Sequence, residues 1–281
     1  MKRLATNYKR LNIMRNVKIT CLLILISIFA GSKLINAQSC QLPVKKTDSA
    51  QVQREQLIWP TVMLKAPDES FGSGTIIHKR CDENDGNKYK YYILTAHHTI
   101  KDRFIQQVYS RDFITGANKT RKVEGNFEIT IFKYDGKLDK KVLGKFEDEI
   151  SGVGIDAGLI SFISEEDLPN IANIATDEML NSLTNLVEVY ASSCPLKQHP
   201  MLTTGLISLI NDDVGGRISA TGNAALGSSG GGLYIKVDDK YYLIGLIVEI
   251  AKTTDSRYLF SYITNSTSIK SIRTFLTKNG I

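Results

Sequence analysis

Short runs of β-branched and aromatic residues, each closed off by a Gly, Asn or Asp cluster, constrain this chain more than any other feature. Seven runs form a first series: Thr61 to Leu64, Gly72 to His78, Tyr89 to Thr95, Phe104 to Tyr109, Phe127 to Phe132, Val142 to Phe146 and Ala157 to Ile163. Six form a second: Leu186 to Ala191, Thr203 to Ile210, Arg217 to Ala220, Gly232 to Val237, Tyr241 to Ile250 and Tyr258 to Ile263. Runs this short read as strands, and separators such as Asp82-Glu83-Asn84-Asp85-Gly86-Asn87 supply the turns. No helical period lies between successive runs, so a sandwich or barrel is expected rather than a βαβ fold. The period-two signal lapses from Ser164 to Ser182, which places a crossover there. At the end, Ser268 can cap a helix carrying Ile269, Ile272, Phe275 and Leu276 on one face, with Gly280 beyond it.

Residues 1–37 read as a signal peptide. Lys2, Arg3, Lys9, Arg10, Arg15 and Lys18 precede the apolar run Ile19 to Ala30, and Ala37 offers a small residue before a cut. Met14 is an alternative start, and a retained signal anchor or a lipoprotein signal ending at Cys40 is the alternative processing. The expected location is secreted or periplasmic. These 37 residues hold seven Lys and Arg and no acids, leaving 28 basic against 29 acidic residues in the rest of the chain. The net charge of +6 therefore belongs to the leader. Nothing calls for nucleic acid, and a membrane enters only if the leader is kept as an anchor. Cys40, Cys81 and Cys194 remain, an odd number that allows one bridge or none and does not say which.

The stretch Gly227-Ser228-Ser229-Gly230-Gly231-Gly232 surrounds two hydroxyls with glycines. Glycine suits backbone that must take a positive φ or make a close approach. A loop of this kind can present a nucleophilic Ser and gather amides around an oxyanion. It can equally be a flexible connection between strands. A Ser nucleophile needs a base beside it, and the chain has four His: His78, His97, His98 and His199. His97 and His98 end the apolar run Tyr91 to Ala96, at a strand edge where an imidazole can face a cleft. Asp156 starts the run Ala157 to Phe162, where an acid is costly unless bonded. Glu147-Asp148-Glu149 reads instead as a solvated acidic face.

Together, in the order His, Asp, Ser, these stretches resemble the trypsin/chymotrypsin-like serine peptidases from about Val62 to Leu276, in their single-chain bacterial form. Leu94-Thr95-Ala96-His97-His98 is similar to the family's Leu-Thr-Ala-Ala-His, and Asp156-Ala157-Gly158-Leu159-Ile160 to its Asp-(Ile/Leu)-Ala-Leu-(Leu/Ile). Gly227-Ser228-Ser229-Gly230-Gly231 matches Gly-(Asp/Asn)-Ser-Gly-Gly at four of five positions, and Phe71-Gly72-Ser73-Gly74-Thr75-Ile76-Ile77 resembles the strand before the His motif. The chain order is that of the chymotrypsin group and not of α/β-hydrolases or subtilisins.

The resemblance implies an all-β fold of two six-stranded antiparallel β-barrels with a C-terminal helix. It divides the chain into an arm (38–57), a first barrel (58–165), a crossover (166–185) and a second barrel with the helix (186–281). It implies an exported endopeptidase with His98 as base, Asp156 as orienting acid and Ser229 as nucleophile. Gly227 and Ser229 N–H groups would hold the oxyanion. It implies protein or peptide substrates, and neither metal nor cofactor. Asn223 would lie near the floor of the substrate pocket, and Val248, Glu249 and Ile250 would form one wall. Val248 and Ile250 favour a small or medium apolar residue before the scissile bond and Glu249 a basic one; both stay open. A catalytically silent, protein-binding homologue and an esterase with the same triad are the alternative functions. Two positions depart from the family. Gly232 replaces the usual Pro, which is expected to loosen the turn. Ser228 replaces the Asp of the digestive members, which, with no Ile-Val-Gly-Gly present, implies no zymogen switch.

Overall fold

The computed structural model describes residues 48–82, 86–111, 118–132, 140–168, 171–211, 216–252 and 259–281. The leader and Cys40 lie outside them. The seven runs of the first series become β1 (Thr61–Lys65), β2 (Phe71–Cys81), β3 (Tyr89–Thr95), β4 (Phe104–Arg111), β6 (Phe127–Ile131), β7 (Lys140–Gly152) and β8 (Ile155–Ser164), and one strand that no run marked, β5 (Asn118–Glu124), follows β4. Six of these close a barrel in the order β1-β2-β3-β8-β7-β6, while β4 and β5 pair only with each other. Beyond them come β9 (Asn173–Ile174), β10 (Glu188–Ser193), β11 (Met201–Asn211), β12 (Arg217–Thr221), β13 (Gly232–Val237), β14 (Lys240–Lys252) and β15 (Leu259–Ser268). The order β13-β10-β11-β12-β15-β14 closes on itself through β13–β14, making a second six-stranded barrel, and β9 adds to β14 in parallel.

Alternation along β3 explains how the barrels meet. Tyr91 and Ile93 point into the first barrel with Val62, Leu64, Ile129 and Ile160. Tyr92 and Leu94 face the other way, into the core that also holds Leu233, Tyr234, Leu243 and Leu246 of the second barrel. Strand β8 splits likewise, with Ile160 and Phe162 inward and Ala157 and Leu159 toward the second barrel. A strand buried on both faces reads as an unbroken apolar run, which is how Tyr91 to Ala96 and Ala157 to Phe162 read. The two strands pair antiparallel, Thr95 opposite Gly158, so the end of β3 lies beside the start of β8.

Two segments differ from the sequence reading. Phe104–Arg111 is a strand but belongs to no barrel; every residue of it is exposed, Phe104 and Tyr109 by more than half. Among the described residues no sheet buries its apolar side chains. The described part of the expected arm, residues 48–57, is helical: α1 (Asp48–Gln53) runs on into a wider turn that ends at Ile58. Leu57 there is fully buried, Gln53 Nε2 donates to Tyr241 Oη at 3.1 Å, and Gln56 Oε1 accepts from Tyr241 N–H at 2.8 Å. At the other end Ile269, Ile272, Phe275 and Leu276 are all buried, and Ser268 Oγ accepts from Lys270 N–H at 3.2 Å.

Gly232 does not loosen its turn. It opens β13, and a Cβ there would lie 2.5 Å from the ring of Tyr234, which is fully buried two residues on. The tyrosine ring fills the space that a proline would need. Gly232→Pro is therefore expected to destabilise the fold by about 1–3 kcal/mol through overpacking. A lowered thermal midpoint would show it; an unchanged midpoint would mean that the ring can move aside.

Candidate active site

The helical turn α2 (His97–Ile100) follows β3 directly and carries both candidate imidazoles. His98 Nδ1 lies 2.6 Å from Asp156 Oδ2, and His98 N–H donates to Asp156 Oδ1 at 3.0 Å. One carboxylate thus brackets the residue through ring and backbone, fixing Nδ1 as the protonated nitrogen and leaving Nε2 as acceptor. Burial acts to raise the Asp156 pKa. The His98 hydrogen bonds and charge outweigh it, with a further contribution from His97, and the pKa is lowered from 3.8. Asp156 N–H in turn donates to Thr267 Oγ1 of β15 at 3.1 Å, tying the acid to the second barrel.

His97 turns elsewhere. Its Nδ1 lies 3.1 Å from Glu149 Oε2, and Arg103 also bonds Glu149, at 2.9 Å through Nη1. The acidic triplet is therefore no solvated face. Glu147 pairs with Lys90 at 2.7 Å, Asp148 with Lys278 at 2.7 Å, and Glu149 with His97 and Arg103. His78 lies against Tyr92 and His199 against Phe132, the rings tilted in both pairs. Burial, then the charge of Arg80, lowers the His78 pKa.

The glycine-rich loop is docked onto the first barrel. Ser73 N–H of β2 donates to Ser229 O at 2.7 Å. A Cβ on Gly72 would lie 2.6 Å from Thr99 Cγ2, beside His98, and 3.0 Å from Ser229 O, so the α2 turn and the loop converge on this one glycine. Gly230 has a φ of +90° and sits against Ser73 O and Thr95 Oγ1, with no room for a Cβ. Ser228, buried, braces the loop from inside: its hydroxyl accepts from Ala225 N–H at 3.2 Å and from Ser193 Oγ at 3.1 Å.

Ser229 Oγ donates to Val248 O at 3.3 Å, and among the described residues no hydrogen bond joins it to His98. Val248 is the extra residue of a β-bulge between Ile247 and Glu249, which frees its carbonyl from the ladder. The N–H groups of Gly227 and Ser229 make no hydrogen bond within the protein among the described residues. Two free amides on one loop are donors available to an anion.

Of the suggested pocket residues, Val248 is buried, Glu249 and Ile250 are half-buried and Asn223 is exposed. Glu249 accepts from Arg217 Nη1 at 2.8 Å and Asn265 Nδ2 at 3.1 Å, so its carboxylate is already matched by a cation. Sequence reasoning missed Ser73, Thr95, Thr267 and the His97–Glu149 pair. Only Ser73 had a visible sign, a small residue between two glycines in an otherwise bulky strand.

No family model matches the chain, and no curated protein matches it. Solved structures do. Deg5 superposes with a TM-score of 0.53 at 16% identity, covering 80% of this chain and 90% of that one. The HtrA-type protease AlgW, solved with a tripeptide, superposes with a TM-score of 0.52 at 17% identity over 82% of this chain. The match spans 62% of that longer chain. With two closed six-stranded barrels and a C-terminal helix, this chain has the fold of the trypsin/chymotrypsin-like peptidases.

Proposed function

We propose that the chain is an exported serine endopeptidase that cuts protein or peptide substrates through an acyl-enzyme. The observation that carries this reading is the two-point bracket of His98 by Asp156 beside a loop whose Gly227 and Ser229 amides are unpaired among the described residues and whose serine hydroxyl makes only a long bond to Val248 O. In the proposed reaction Ser229 Oγ exchanges its long bond to Val248 O for one to His98 Nε2. Such bonds are often loose before substrate arrives. His98 takes the hydroxyl proton as Ser229 attacks the carbonyl carbon. The Gly227 and Ser229 amides receive the oxyanion, and Asp156 stays ionised and steadies the imidazolium. His98 then protonates the leaving amine, and water repeats the sequence on the acyl-enzyme.

The Arg217–Glu249 pair favours an apolar residue before the scissile bond over a basic one, since a second cation would compete with Arg217 for the same carboxylate. The bond from Ser229 to Val248 favours a second reading, a silent homologue that only binds proteins. Labelling of the mature chain with a fluorophosphonate decides between them. The peptidase reading expects labelling that is lost in Ser229→Ala and His98→Ala and kept in His97→Ala. No labelling of the wild-type chain would favour the silent form. A peptide library then separates peptidase from esterase and reads the preferred side chain.

A further inference from the structure

Ser73 is fully buried and does more than dock the loop. Its hydroxyl donates to Gly227 O at 2.6 Å and accepts from Cys194 N–H at 2.7 Å. Close by, Leu196 N–H donates to Leu226 O at 2.7 Å. These two carbonyls belong to the peptide planes on either side of Gly227 Cα. In a planar trans peptide the N–H points opposite to the C=O. Holding Leu226 O toward Leu196 therefore turns Gly227 N–H the other way, and holding Gly227 O against Ser73 fixes the next plane.

The turn that delivers this bond is strained. Leu196 and Lys197 are consecutive non-glycine residues with φ of +53° and +60°. A long side chain adopts such backbone only where its surroundings impose it. The imposed conformation leaves Leu196 exposed, so burial of its side chain does not explain it. The turn delivers the hydrogen bond to Leu226 O and also sets Lys197 Nζ 4.6 Å from the centre of the Phe71 ring that encloses Gly227. Gly227 itself has a φ of +91° and is enclosed by the ring of Phe71 and the carbonyl of Cys194, with no room for a side chain.

We propose that Ser73 and the left-handed turn at Leu196–Lys197 are positioning residues for the Gly227 amide, holding it aimed at the oxyanion of a tetrahedral intermediate. The inference rests on the proposed peptidase reading and adds to it a device outside the three reacting side chains. Without the two bonds the Leu226–Gly227 plane is free to rotate, and the donor leaves the site while substrate can still bind. The effect therefore falls on the transition state and not on the ground state.

The test uses the full mature chain, the best substrate from the peptide library and a peptide boronic acid of the same sequence, which forms a tetrahedral adduct. Ser73→Ala should lower kcat and raise the boronate inhibition constant in parallel, each by about 10- to 100-fold, with KM moving far less. A purely structural role would instead lower the folded fraction and leave the ratio of boronate to substrate affinity alone. Should Ser73→Ala fail to fold, the exposed turn gives a second reading. Leu196→Pro removes the N–H, whereas Leu196→Gly keeps it and tolerates the left-handed backbone, so the proline variant should lose at least about tenfold more boronate affinity. Wild-type turnover with boronate affinity equal among these variants would overturn this inference alone. No fluorophosphonate labelling of the wild type would overturn the peptidase reading and this one with it.

Discussion

On the peptidase reading, replacing Asp156 by Asn is expected to lower kcat by about 10⁴ while leaving the chain folded. Asparagine keeps the shape, and its carbonyl oxygen can still accept from His98 N–H. Its amide, however, faces His98 Nδ1 as a donor. The imidazole proton must then move to Nε2, where it blocks the acceptance of the Ser229 hydroxyl. The backbone bond from residue 156 to Thr267 Oγ1 survives the change. Steady-state turnover on a library peptide, with circular dichroism alongside, checks both halves. Undiminished turnover in a folded variant would remove Asp156 from the mechanism.

The same variant carries a pH signature. Burial opposes ionisation of Asp156, but the His98 bonds and charge prevail, so its folded pKa lies below the usual 3.8. A depressed carboxylate contributes stability that is fully present above 3.8 and is lost as the pH falls through the folded value. Urea unfolding of wild type and Asp156→Asn should therefore differ at neutral pH and converge in acid below 3.8. A gap that stays constant down through that range would contradict the assignment.

The second large effect is expected at Gly230. Any Cβ there meets Ser73 O and Thr95 Oγ1, and the φ of +90° is itself costly for an L residue. The obstacle on the Ser73 side is backbone, which no rotamer change relieves. The loop has to lift off β2 and give up the 2.7 Å bond from Ser73 N–H to Ser229 O. Gly230→Ala is expected to destabilise the fold by about 3 kcal/mol or more. On the proposed reading, fluorophosphonate labelling should fall by at least about 100-fold, because the hydroxyl moves relative to His98. Gly152→Ala, with nothing within 4 Å of the added carbon, is the control and should stay within about 0.5 kcal/mol. Equal midpoints for the two variants would mean that the loop is not seated on β2.

Strands buried on both faces were the easiest to read, because β3 and β8 spell out continuous apolar runs. The imidazole and carboxylate stretches stand out for a related reason, since His97-His98 follow the run of β3 and Asp156 precedes the run of β8, whereas the Ser229 stretch is marked by its glycines. Less was visible where structure depends on a partner. Strand β5, Asn118–Glu124, is almost wholly polar and is a strand only because β4 pairs with it. The helix at 48–58 offers few apolar positions, chiefly Val52 and Leu57, to mark its buried side. Which of Val248, Glu249 and Ile250 faces inward could not be read, since the bulge at Val248 breaks the alternation and a bulge leaves no mark in composition. The turn at Leu196–Lys197 was invisible because neither residue type announces a positive φ.

The seat of the Ser229 loop has a consequence for the life of the molecule. The imidazole and carboxylate come from one barrel and the hydroxyl from the other, and β2 of the first barrel holds the loop of the second in place. A chain with only one barrel closed carries the imidazole without the hydroxyl, or the hydroxyl without the imidazole. On the proposed reading, cutting power arrives with the last tertiary contact, so an incomplete or half-denatured molecule is harmless to the proteins around it.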